Sequence, residues 1–141
     1  MIKSATEEIL IVFPSTNVLF LFKKEDILKS IREVATQHEV KVRILVEKKP
    51  AENMYDEMLN EEKFIQIRYP EKSLQTKITT FVIDSEFSIA IEVKNDSKKS
   101  LYEAIGLATY SNSDSTVFSY ISIFETHWTE AELTTRALNG S

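Results

Sequence analysis

The stretch QTKITTFVIDSEFSIAIEVKND, residues 75–96, decides the fold. Runs rich in Ile, Val, Phe and Thr flank the polar triplet Asp84-Ser85-Glu86, which reads as two strands joined by a tight turn. One residue is out of place. Lys77 stands at the entrance of the first strand, two positions after Gln75, where an apolar run begins.

Upstream, EILIVFP (8–14) is an apolar strand ended by Pro14. Ile2, Ala5 and Ile9 precede or enter it at helical spacing, which suggests the tail of a helix. Ser15-Thr16-Asn17 then offers N-cap residues. The helix that follows has Ile27, Ile31, Val34 and Ala35 on one face, with Lys24, Glu25, Lys29, Arg32 and Glu33 largely opposite. The run NVLFLF (17–22) fits either the buried first turns of that helix or a separate strand, and the helix is the preferred reading. VKVRILVE (40–47) alternates, with Val40, Val42, Ile44 and Val46 on one side and Lys41, Arg43 and Glu47 on the other. NMYDEMLNEE (53–62) reads as a short surface helix, and FIQIRYP (64–70) as a strand stopped by Pro70.

Downstream, KNDSKKS (94–100) is a solvated turn and YEAIGLATYS (102–111) the last strand. SNSDS (111–115) caps a long helix from about 114 to 138. Strand–helix–strand–helix–strand, then adjacent strands and a closing helix, gives an α/β fold. Its mixed β-sheet should hold about five to seven strands, with helices on both faces. No internal repeat or domain boundary shows, so residues 1–141 read as a single domain.

Composition narrows the function. Of 141 residues, 43% are hydrophobic, 10% aromatic and 28% charged, an ordinary globular balance. A net charge of −5 opposes nonspecific attraction to nucleic-acid backbones or anionic lipid. The five tyrosines are scattered and form no stacking platform, so no nucleic-acid partner is expected. The chain has no cysteine, which removes disulfides, thiol nucleophiles and the usual structural zinc sites and fits a reducing, cytoplasmic setting. No metal and no cofactor are expected. Val18–Phe22 is too short to cross a bilayer and the N-terminus lacks a signal-peptide pattern, so this segment should make no membrane contact. Only Gly106 and Gly140 are glycines, too few for a phosphate-cradling glycine loop.

Residues 75–128 resemble, in degenerate form, the catalytic half of the phospholipase D-like superfamily, a class of phosphodiesterases. The family pattern runs His-x-Lys on a strand, an Asp at the strand end, a hairpin, Gly-Ser-x-Asn, a Glu-bearing strand, and a helix with Phe-x-x-x-Trp. Here it reads Gln75-Thr76-Lys77, Asp84 at the turn, Glu92-Val93-Lys94-Asn95, Glu103, and Phe124 with Trp128. Histidine is replaced by Gln75 and Gly-Ser by Glu92-Val93, and Asp84 lies two residues farther from Lys77 than the family spacing. The resemblance implies a reaction through a phosphohistidine, with lysine and asparagine neutralising the developing charge. A glutamine amide cannot attack phosphorus, and a nearby Glu92 would repel phosphate. The two histidines, His38 and His127, do not stand at matching positions. Phosphodiesterase activity is therefore the least favoured reading.

Over nearly its whole length the chain is also similar to domains of archaeal sensor histidine kinases. That resemblance implies a non-catalytic sensory or signal-relay domain of a two-component histidine kinase, excised from a longer protein. The alternative is the effector-binding domain of an archaeal transcriptional regulator, a family whose domains share the phospholipase D-like fold. On either reading the ligand site comprises Gln75, Lys77, Thr79, Glu92, Asn95 and Glu103. The partner is an unknown small ligand or a partner domain.

The C-terminal helix carries a heptad seam of Val117, Ile121, Phe124, Trp128, Ala131, Thr135 and Leu138. Its first half should pack on the core. Phe124, Trp128 and Ala131 are the expected signal helix, whose continuation would support a homodimer through a coiled coil.

Overall fold

The computed structural model describes residues 2–47, 64–70, 76–95 and 97–138. Six described strands form one sheet: β1 (Glu8–Phe13), β2 (Lys41–Val46), β3 (Ile65–Arg68), β4 (Ile78–Ile83), β5 (Phe87–Val93) and β6 (Ile105–Ser111). Their order is β3-β2-β1-β4-β5-β6. β1, β2 and β3 run parallel, whereas β4 is antiparallel to β1 and the β4, β5 and β6 meander is antiparallel throughout. The helices are α1 (Thr16–Lys24), α2 (Ile27–His38), α3 (Leu101–Ala104) and α4 (Asp114–Leu138). The α/β fold with a mixed sheet and helices on both faces stands as the sequence indicated.

Period-two alternation on a sheet covered twice explains the core. From β1, Ile9, Ile11 and Phe13 enter the face covered by α1 and α2, where they meet Val42, Ile44, Phe81, Leu19, Phe22 and Ile31. Phe13, Phe22 and Phe81 form a ring cluster with centroids 5.4 to 6.2 Å apart. Leu10, Leu45 and Val82 enter the other face, under Val117, Phe124, Trp128 and Ala131 of α4. The expected core half of the α4 seam is thus buried. Phe124 and Trp128 stack at 5.5 Å.

Several local readings change. Ile2–Ser4 is a single 3-10 turn rather than a helix tail. Residues 17–22 are helical, but α1 ends at Lys24, and α2 starts afresh after Asp26, whose backbone is left-handed at φ 60°. Tyr102, Glu103 and Ala104 belong to α3, capped by the Ser100 hydroxyl, so the last strand begins only at Ile105. The surface helix expected over residues 53–62 lies outside the described residues.

The β4–β5 turn has Asp84 and Ser85 at φ 54° and 57°, the paired positive values of a hairpin turn whose twist matches its strands. Asp84 also reaches across the sheet. Its carboxylate accepts from the backbone N–H groups of Thr6 (3.0 Å), Glu7 (2.7 Å) and Glu8 (3.0 Å) and from the Thr6 hydroxyl (3.2 Å). Partial burial would raise its pKa, but these donors outweigh that and hold it below the ordinary aspartate value.

Candidate functional site

β1 is where the sheet changes direction. The chain leaves it through α1 and α2 to build β2 and β3 on one side, while β4, β5 and β6 occupy the other. In open α/β sheets a crevice forms at the carboxyl ends of strands at such a switch point. A cavity of about 290 Å³ lies there, lined by Pro14, Ser15, Val18, Thr76, Lys77, Val93, Lys94 and Asn95. It gathers the end of β1, the start of α1, the entrance to β4 and the end of β5.

Each wall follows from local sequence. Pro14 ends β1, and the Ser15 hydroxyl accepts from the Val18 N–H at 3.3 Å to cap α1. The first turn of α1 carries no acidic residue, so its N-terminal partial positive charge has no built-in counter-anion. Lys77 stands exposed one residue before β4, and its carbonyl accepts from the Val93 N–H at 2.8 Å, which fixes the two rims against each other. Asn95 Oδ1 accepts from the Ser97 N–H at 3.0 Å and hydroxyl at 2.6 Å, leaving its amide nitrogen as the remaining donor. Among the described residues the lining holds two lysines and no carboxylate. Such a set suits an anion.

The predicted site residues separate. Lys77 and Asn95 line the cavity together. Thr79 lies two residues farther along β4 on the same face, fully buried, with no hydrogen-bond partner for its hydroxyl among the described residues. Glu92 pairs in register with Ile78, one position out of phase with Lys77, and its carboxylate covers Gly106 beside the β5–β6 irregularity. It does not line the cavity, so the repulsion expected from Glu92 falls away. Glu103 sits exposed on α3 and is likewise not part of the lining. Asp84 occupies the opposite end of β4 and serves the Thr6–Glu8 backbone instead. Gln75 lies outside the described residues. Neither His38, at the end of α2, nor His127, on α4, lines the cavity.

Sequence reasoning missed Ser15 with the α1 N-terminus, and Lys94. Ser-Thr-Asn after Pro14 was the legible signal for the first. Lys94 was hidden in a turn that reads as merely solvated. A broader depression of about 610 Å³ opens elsewhere, beside Ser85, Asp114, Ser115, Phe118 and Ile121, with no cationic side chain among its described lining residues. Among the described residues no cluster of three or more His, Asp or Glu is placed to hold a metal ion, and no helix is long and apolar enough to cross a membrane.

No family model matches the sequence, and no match emerges among curated proteins. Solved structures do match. NucT from Helicobacter pylori superposes with a TM-score of 0.68 at 17% identity, over 92% of this chain and 83% of that one. A phospholipase D family member, Nuc from Salmonella typhimurium, superposes at 0.65 and 14% identity, over 92% and 82%. These similarities correct the earlier functional reading. Both are matches of fold, one of them to a member of a family named for an enzyme, and they lend nothing to a non-catalytic sensory or signal-relay domain, a histidine kinase, a transcriptional regulator or an archaeal source. The relay role of Phe124, Trp128 and Ala131 falls with that reading, and their burial is that of a core helix. The chain has a phospholipase D-like fold.

Proposed function

We propose that this protein recognises a phosphodiester, seating the phosphate in the cavity bounded by Lys77, Asn95 and the N-terminus of α1. One observation carries the proposal. Lys77, Lys94, the Asn95 amide and the start of α1, whose first turn has no acidic residue, meet in a cavity with no acidic residue in its lining among the described residues. The phospholipase D-like fold supports it, because phosphodiester chemistry is what the sequence resemblance at Lys77 and Asn95 implies. In that chemistry the lysine and asparagine stabilise charge on the phosphoryl oxygens. Gln75 stands where the resemblance places the attacking imidazole, and no histidine lines the cavity. Turnover here would form no phosphohistidine; the simplest route is attack of water on phosphorus, its proton passing to the alcohol that leaves.

Inorganic phosphate titrated into the protein, followed by amide chemical shifts, tests recognition. Shifts should cluster at Ser15–Val18 and Val93–Asn95, and Lys77→Ala should weaken binding about tenfold or more. No binding by the wild-type chain, or equal binding by Lys77→Ala, would sink the proposal. Release of nitrophenolate from bis(4-nitrophenyl) phosphate, without a burst and lost in Lys77→Ala, would mark turnover at this site.

A further inference from the structure

A second cavity, of about 210 Å³, opens on the other face of the sheet between β1, β4 and the flank of α4. Val12, Ile78, Thr80, Tyr120, Ile123 and Phe124 line it, with no charged residue among them, and Thr76 borders both this cavity and the one at Lys77. We infer that it is a subsite for a compact apolar group esterified to the phosphate held at Lys77. The inference rests on the phosphate reading above and names the class of ligand that site takes: a phosphate ester with a ring-sized apolar substituent.

Three observations carry it. Thr76 lines both cavities, and its hydroxyl accepts from the Ile78 N–H at 3.1 Å, which fixes it between them. Each cavity alone falls below the roughly 300–1,000 Å³ of a small-molecule site, whereas the pair falls within it. The chemistry also divides cleanly. Cations and amide donors stand on the Lys77 side, while side-chain hydrocarbon, two threonine hydroxyls and one phenol stand on the other. Ile78 and Ile123 remain 38% and 55% exposed, so the subsite is open to a ligand without displacement of core residues.

Phe124, in the wall, stacks on the single tryptophan, Trp128, which makes the occupied subsite visible in fluorescence. The test compares phenyl phosphate with methyl phosphate on the full chain. Phenyl phosphate should bind at least about tenfold more tightly, as expected for burying an apolar ring. It alone should shift Trp128 emission. Ile123→Ser and Ile78→Ser, both at partly exposed positions, should abolish that gain and leave methyl phosphate affinity unchanged. Equal affinities for the two probes, or a gain that survives both substitutions, would overturn the subsite. Failure of methyl phosphate itself to bind would overturn the phosphate site beneath it.

Discussion

Arg43 grips Glu125 with both terminal nitrogens of its guanidinium, Nη1 at 2.6 Å and Nη2 at 3.2 Å, and holds Glu8 through Nε at 3.0 Å. The fork ties β2 to α4, and its carbon lies 5.3 Å from the Phe124 ring and 5.4 Å from that of Trp128. Burial would lower the Arg43 pKa, but the bonds to Glu125 and Glu8 outweigh it and raise the value, so the group stays charged. Arg43→Met keeps the stem and loses the fork. It should cost about 1.5–3 kcal/mol, the range for hydrogen bonds to charged groups. Glu125→Gln, at a half-exposed carboxylate, should cost less than about 1 kcal/mol. Urea unfolding separates them, and equal small losses would show that ring packing alone holds the joint.

Trp128 is 6% exposed, stacked on Phe124, with the Arg68 guanidinium carbon 4.1 Å from its ring centroid. Its carbonyl accepts from Arg68 Nη1 at 2.9 Å. Trp128→Ala should destabilise the fold by about 3–5 kcal/mol, through lost contacts and the cavity left behind. Thermal unfolding of the variant checks this, and a loss under 1 kcal/mol would mean that α4 collapses onto the vacancy.

Asp84 gives the fold an acid-sensitive joint. Its folded pKa lies below the ordinary value, so its contribution is fully present above the unfolded aspartate pKa, near 4. That contribution is lost as pH falls through the folded value. Asp84→Asn tolerates the left-handed backbone but gives up the charge. Its stability deficit at neutral pH should therefore shrink progressively below about pH 4. Paired urea titrations across that range measure it. A deficit independent of pH would show that the carboxylate charge plays no part.

Glu92 and Gly106 make a paired prediction. A Cβ at Gly106 would meet the Glu92 carboxylate, the mobile end of a flexible side chain, with Lys94 Cγ at 3.1 Å as the next neighbour. Gly106→Ala should therefore change stability by less than about 1 kcal/mol, since the gain from replacing glycine in a strand offsets the shift of Glu92. Because that carboxylate faces away from Lys77, Glu92→Gln should alter phosphate affinity less than about threefold at physiological salt. A larger gain in affinity would place Glu92 within the site after all.

How much of this was legible in the sequence differs by element. The apolar runs of β1 and β2, the Asp84–Glu86 turn and the seam from Val117 to Ala131 are periodic signals that burial enforces, and the structure follows them. Lys77 and Asn95 were legible as a pair because the motif spacing spans one hairpin, whose register places Lys77 opposite the end of β5. Glu92 and Glu103 were misplaced for related reasons. An irregularity between Ile91 and Val93 shifts the β5–β6 register around Glu92, and a Ser100 cap turns Glu103 into a short helix. Neither device has a periodic signature. The apolar cavity was illegible because Val12, Ile78 and Ile123 come from three separate elements that meet only in three dimensions.

The bond between Thr6 and Asp84 joins positions 78 apart in the chain, and the distance carries a meaning for assembly. β4, β5 and β6 pair with near neighbours in sequence, so their contacts close short loops. β1 reaches β4 only across some seventy residues, a closure whose entropic cost must be met before the contact rewards it. The meander is thus the natural nucleus, with the β1–β4 seam as the late joint. In pulse-labelled hydrogen exchange during refolding, the amides of Ile89 and Ile91 should gain protection before those of Leu10 and Val12. The reverse order would show that the β1–β4 seam closes before the meander and would overturn this order of assembly.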